Sequence, residues 1–262
     1  MKFTVLLLSL LVGLGAGGTV HEMIGTGGHG SGMPVGGPLA DDSLFSTGPW
    51  SNSPGTGVGG ADESILETWG NILGWGCMFT SSYVCADDFQ VPAGELWGVT
   101  AITVGAFQEG AGTTPTINEI YFQIWEGTPE AGTLLYGDLV TNVFDSADWS
   151  GIYRVRESES GSNSNRGIMA VTGLVSTDSS LVLDEGTYWV TFMLNGSLLY
   201  GPWAPPVVEM GMMETGNAIW NTGSGWEPVL NGGYPQGLLV IVEGFPESGL
   251  DFSTWGEIKT VF

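Results

Sequence analysis

Positive charge is almost missing from this 262-residue chain: five Lys+Arg stand against 28 Asp+Glu, for a formal net charge of −23. That excludes nucleic acid as a partner, because phosphate backbones are bound through clustered Lys and Arg. Anionic membrane surfaces recruit polybasic segments, which are lacking too. Histidine is equally scarce: His21 and His29 are the only two, so residues 30–262 contain none. A Ser-His-Asp or Cys-His hydrolase needs an imidazole held by its scaffold, and zinc catalysis normally uses at least one His. Neither mechanism has a base in the body of the chain. The sequence contains no HExxH or GxSxG motif, and its glycine runs lack the strand, helix and Lys of a phosphate-binding loop.

Long apolar runs are confined to the beginning. Lys2, the stretch Val5 to Leu14 and the small residues Ala16-Gly17-Gly18 read as a secretory signal over residues 1–18. No later run reaches the roughly 20 apolar residues of a membrane span, so the mature chain is expected to have no transmembrane segment. It is expected to be secreted, extracellular or held at a cell surface. Loss of Lys2 leaves four basic residues against 28 acidic ones.

What is abundant is glycine, 44 residues in all, of which twelve fall between Thr19 and Gly60. That stretch shows no sustained period of two or 3.6, and residues 19–84 read as an irregular arm. Ser64-Ile65-Leu66-Glu67 fits a helix-capping pattern, with room for one or two turns before Gly70 and Gly74. The arm ends in a loop between Cys77 and Cys85, the only cysteines. In an oxidising compartment such a pair is expected to form a disulfide.

From residue 85 the pattern changes. Trp97–Val104, Ile117–Trp125, Thr133–Val140, Gly151–Glu157, Gly167–Val175, Thr187–Leu194, Asn217–Asn221 and Gly237–Glu243 are rich in β-branched and aromatic residues and are separated by turn signals. No helical pattern intervenes. Residues 85–246 are therefore expected to form an all-β, antiparallel β-sandwich or jelly roll. Tyr188 to Leu194 is apolar on both faces and predicts a central strand. Residues 247–262 form a separate tail, where Thr254 with Glu257 and the spacing of Trp255, Ile258 and Phe262 predict a short helix.

The segments Ala86-Asp87-Asp88-Phe89-Gln90-Val91-Pro92-Ala93-Gly94, Tyr121-Phe122-Gln123-Ile124-Trp125-Glu126-Gly127, Gly186-Thr187-Tyr188-Trp189-Val190 and Gly201-Pro202-Trp203-Ala204-Pro205-Pro206 resemble a group of secreted bacterial β-sandwich proteins. The resemblance covers about residues 85–245. It implies the fold and export, and assigns no catalytic residue.

Three kinds of site remain open to this composition. Acidic pairs are candidate calcium ligands, with Asp87 and Asp88 the first choice because hard oxygens suit that ion. Eleven tryptophans suggest carbohydrate contact through flat aromatic faces, and Trp149, Trp203 and Trp226 lie in loop-like contexts while Trp125 and Trp189 read as core. A carboxylate pair drawn from Glu119, Glu126, Asp138 and Glu209 would permit glycosidase or lyase chemistry. Arg154, Arg156 and Arg166 share one hairpin and are expected to pair with nearby carboxylates or to form a docking patch for another copy. The balance points away from an enzyme. The leading expectation is a surface, matrix or adhesion component, with a carbohydrate-binding module as the alternative and glycans or copies of the chain itself as partners.

Overall fold

The computed structural model describes residues 42–175 and 181–247. The expected signal, residues 19–41 of the expected arm and residues 248–262 of the expected tail lie outside them. The described chain is predominantly β with several antiparallel sheets; its helical content is three single 3-10 turns. The strands are β1 (Ser43–Ser46), β2 (Asp62–Leu66), β3 (Trp75–Gly76), β4 (Val84–Val91), β5 (Trp97–Ala106), β6 (Ile117–Glu126), β7 (Thr133–Asp138), β8 (Phe144–Arg156) and β9 (Gly167–Leu174). They continue with β10 (Leu181–Leu183), β11 (Gly186–Gly196), β12 (Trp203–Ala204), β13 (Ile219–Asn221), β14 (Trp226–Pro228), β15 (Leu230–Asn231), β16 (Tyr234–Pro235) and β17 (Val240–Pro246).

Two sheets dominate. One runs β1-β17-β5-β9-β8-β2, with β10 also paired to β5, and the other runs β14-β13-β4-β11-β6-β7. Every pairing is antiparallel except β2 with β8. Alternation along each strand decides what is buried. Phe89 and Val91 of β4, Phe122 and Ile124 of β6 and Val190 and Phe192 of β11 come from the second sheet; Ile102 and Val104 of β5, Met169 and Val171 of β9 and Val240 and Val242 of β17 come from the first. All of them meet in a single hydrophobic cluster. The alternate residues of the first sheet, Ile168, Ala170, Leu239 and Ile241, pack on Trp50 and Val207 in a second cluster. That sheet is thus apolar on both faces in its middle. β11, expected to be central, lies between β4 and β6.

All eight expected strands are present, with shifted ends. The expected irregular arm is corrected from residue 42 onward, where β1, β2 and β3 each join a sheet. The Ser64–Glu67 capping pattern falls on strand β2, not on a helix. There Asn52 Oδ1 accepts the Ile65 N–H at 2.8 Å and the Ser64 hydroxyl accepts from Arg154 at 3.0 Å. Long-range partners at those two positions override a weak local signal.

The expected disulfide is corrected as well: Cys77 and Cys85 are separate, fully buried thiols. Cys77 Sγ donates to the Pro202 carbonyl at 3.5 Å and Cys85 Sγ to the Gly76 carbonyl at 3.7 Å. The connection between them closes on itself, since the Tyr83 N–H donates to the Met78 carbonyl at 3.1 Å and Ser82 adopts φ +54°. Each sulfur is thereby turned towards a different carbonyl. Burial pushes both thiols well above their ordinary range, which makes them poor nucleophiles.

Candidate functional site: an aromatic cleft beside Trp149

β8 and β9 pair in register from Ala147↔Val171 to Trp149↔Met169, and pairing resumes only at Tyr153↔Gly167. Three residues of β8 therefore oppose one of β9, and the chain bulges through Gly151 at φ +84°. A bulge of this kind re-aims side chains. Here it brings the Trp149 and Tyr153 rings to 5.3 Å at an interplanar angle of 40°. The Ser150 hydroxyl anchors the bulge on the Ile168 carbonyl at 2.7 Å, and Trp149 Nε1 donates to the Ile152 carbonyl at 3.3 Å. Tyr153 is buried, whereas Trp149 is 37% exposed.

Together these residues form one wall of an open depression of about 1150 Å³, counted out to bulk solvent. The rest of the lining is the stretch from Val58 to Asp62 together with Thr113. Gly59 and Gly60 take φ +72° and +83°, and a Cβ on either would meet nothing within 4 Å, so the backbone of this stretch stays open to a ligand. Asp62 supplies the cleft's carboxylate. Its Oδ1 accepts the Gly55 N–H at 2.8 Å and its Oδ2 faces the Ser51 hydroxyl at 3.4 Å. An aromatic face with hydroxyls and one fixed carboxylate around it suits a polar ligand that has flat apolar patches.

Trp149 is the expected tryptophan that lines this cleft. Trp203 lies in β12, paired with Gly76 of β3 and bridged to Phe107, and its half-buried ring packs where Gly76 and Gly201 carry no side chain. Trp226 lies in β14, the outermost strand of the second sheet, and is half-buried. The three stand on three different sheets and form no common platform. The sequence did not point to Tyr153, Thr113 or the Gly59-Gly60 pair as site residues, and Asp62 stood out only as part of the acidic pair Asp62-Glu63. The Trp-Ser-Gly of the bulge was the available signal.

The candidate acids do not converge. Glu119 accepts from the Tyr121 hydroxyl at 2.6 Å and Asn195 Nδ2 at 3.0 Å. Asp138 accepts the N–H groups of Val140 and Thr141, which hold its carboxyl below the usual range. Glu126 and Glu209 are exposed elsewhere. Asp62 is the one carboxylate among the described lining residues of the Trp149 cleft, whereas acid–base glycosidase chemistry needs two.

The calcium expectation for Asp87 and Asp88 finds no site. Consecutive strand residues face opposite ways, so the two carboxylates cannot meet on one ion. Among the described residues no three His, Cys, Asp or Glu side chains come together. Asp87 instead points inward, 3% exposed, where its Oδ2 accepts the Leu238 N–H at 2.6 Å and its Oδ1 the Asp88 N–H at 2.9 Å. It thus joins β4 to the chain entering β17. Burial, opposed by the Leu238 N–H and assisted by the Asp88 charge, raises its pKa from 3.8 to about 8. A carboxyl with a folded pKa above its unfolded value contributes stability that is complete below the unfolded value, about pH 4, and is lost as pH rises through about 8. Wild-type unfolding free energy should therefore fall relative to Asp87→Asn between about pH 4 and about pH 8. Urea titrations showing a constant difference across that range would contradict the assignment.

The arginines divide. Arg166 bonds Glu109 at 2.7 Å and Glu159 at 2.8 Å, as expected of this hairpin. Arg156 is exposed. Arg154, 1% exposed, makes no ion pair among the described residues; its guanidinium donates to the carbonyls of Leu73 at 2.9 Å, Ser64 at 3.2 Å and Ile72 at 3.4 Å. Burial, with Arg166 and Arg156 nearby, pushes its pKa down to about 9. For Arg154 the expectation of carboxylate pairing is corrected: it is buried against backbone carbonyls, while Arg156, on the same face, is exposed where β8 ends in the 3-10 turn at Glu157.

No family model, curated protein or solved structure matches this chain. No helix among the described residues is long and apolar enough to cross a membrane.

Proposed function

We propose that this is a secreted, non-catalytic β-sandwich protein of a cell surface or extracellular matrix, and that it adheres by binding carbohydrate at the Trp149 cleft. The sandwich reading is supported by the hydrophobic cluster shared by the two large sheets. Export and kinship with the secreted group it resembles rest on the signal-like first 18 residues and the quoted segments. The observation that carries the binding site is the partly exposed Trp149 indole, in contact with the Tyr153 ring and lining one depression with the Gly59-Gly60 backbone. A chain with a net charge of −23, and Asp62 in its cleft, repels acidic sugars. The ligands favoured are neutral glycans.

A glycan array followed by titration tests this. Truncating a stacking anchor typically costs about 2 kcal/mol, or about thirtyfold in affinity, so Trp149→Ala should weaken binding by that factor while Trp226→Ala leaves it unchanged. An empty array, or equal binding by Trp149→Ala, would overturn the reading. A second reading, assembly from copies of the chain, draws on edge strand β7, where Leu134 is 43% and Leu135 41% exposed. Exposed apolar edges are templates for strand addition. An empty array with multimers in sedimentation would favour it.

A further inference from the structure

The described residues include six methionines. Met169 and Met193 are buried and Met78 is half-buried. The three exposed ones fall in one run of four residues, Met210-Gly211-Met212-Met213, at 58%, 43% and 40% exposure. Methionine ordinarily fills gaps in cores, so three exposed methionines within four residues of one loop are not explained by core packing. The backbone beneath them is fixed. Met212 N–H donates to the Glu209 carbonyl at 3.0 Å across Gly211 at φ +78°. Gly211 N–H donates to the Glu67 carboxylate at 3.0 Å, and Gln236 Nε2 donates to the Met213 carbonyl at 2.7 Å. The loop is anchored at three points, while the three methionine side chains it carries are exposed.

Soft, neutral thioether ligands select soft cations, Cu(I) among biological metals, over Ca²⁺ or Mg²⁺. Exposed Glu209 and Glu214 flank the run and favour any cation there. The two thiols that would compete for a soft ion are fully buried. We propose that Met210, Met212 and Met213 form a three-thioether binding site for Cu(I). The site stands apart from the Trp149 cleft and is independent of the carbohydrate reading. Thioethers carry no proton, so binding does not require the deprotonation that His, thiolate or carboxylate ligands need.

The test uses the full chain with ¹³C-labelled methionine ε-methyl groups and Ag(I) as a redox-inert probe. One equivalent should shift the resonances of Met210, Met212 and Met213, and the shift should persist at about pH 5, where imidazoles are protonated. Cu(I), added under reductant, should displace Ag(I). The triple variant Met210→Leu/Met212→Leu/Met213→Leu should lose one-to-one binding with an unchanged Tm, while Met23→Leu/Met33→Leu should retain it. Undiminished binding by the triple variant, shifts confined to other methionines, failure of Cu(I) to displace Ag(I), or no Ag(I) binding at all would overturn the proposal.

Discussion

Arg154→Ala is expected to lower the unfolding free energy by about 3–5 kcal/mol. The loss has two parts. The guanidinium is the donor for the carbonyls of Ser64, Ile72 and Leu73 and for the Ser64 hydroxyl. Each buried acceptor left without a partner costs about 1–3 kcal/mol, and the removed side chain adds a cavity. Those contacts join β8 to β2 and to the chain leading into β3, so the edge of the first sheet should loosen as a unit. For a domain of this size the corresponding drop in Tm is about 10 °C. Arg154→Lys should lose most of the same amount, because one ammonium cannot reproduce a planar fork spread over several carbonyls. Arg156→Ala, two residues along and exposed, should stay within about 0.5 kcal/mol. Thermal melts in which both alanine variants behave alike would show that Arg154 is not the tie.

Why Arg154 was read as a partner for carboxylates, and Arg166 correctly so, shows where sequence runs out. Spacing placed Arg154 and Arg156 on opposite sides of their neighbour Val155 and hence on one strand face, yet one is buried and the other exposed, because the chain turns into a 3-10 turn at Glu157. Periodicity predicted the long strands well: Tyr188, Val190, Phe192 and Leu194 alternate into the core as their pattern requires. It failed where partners are distant. Ser64 looks like a cap locally, but Arg154, 90 positions away, takes its hydroxyl. Cys77 and Cys85 look like a staple, but Pro202 and Gly76 hold their sulfurs.

The cleft was half legible for the same reason. Trp149 could be named from its Asp-Trp-Ser-Gly context, since glycine after a polar residue marks a break in a strand. Most of the remaining lining comes from residues 58–62, almost 90 positions earlier, and no local pattern connects the two. Asp87 failed as a calcium ligand through alternation alone, a rule readable from sequence once residues 84–91 are recognised as one strand. Trp203 and Trp226 stand on other sheets than Trp149, and a loop-like composition says nothing about which sheet a short strand will join.

The cleft's geometry depends on one position without a side chain, and Gly167→Ala is expected to damage fold and site together. Gly167 begins β9, opposite Tyr153, where the bulge ends. A Cβ there would collide with the carbonyl oxygen of Gly112 and lie 3.2 Å from Trp149 Cδ1. The first obstacle is backbone, held by the hydrogen bond from the Gly112 N–H to the Asn165 carbonyl at 3.2 Å, so it cannot rotate away as a side chain could. Overpacking against a fixed wall costs about 3 kcal/mol, a Tm loss of about 5–10 °C, and the indole is the softer neighbour that must move. Glycan affinity should therefore fall by an amount like that for Trp149→Ala, even in the fraction that remains folded. Gly151→Ala separates backbone strain from crowding: φ is +84° there but nothing lies within 4 Å of the new Cβ, so about 1 kcal/mol should be lost while Trp149 keeps its seat. Equal damage from the two alanines would mean that the bulge's dihedrals, and not the contact between Gly167, Gly112 and Trp149, set the cleft.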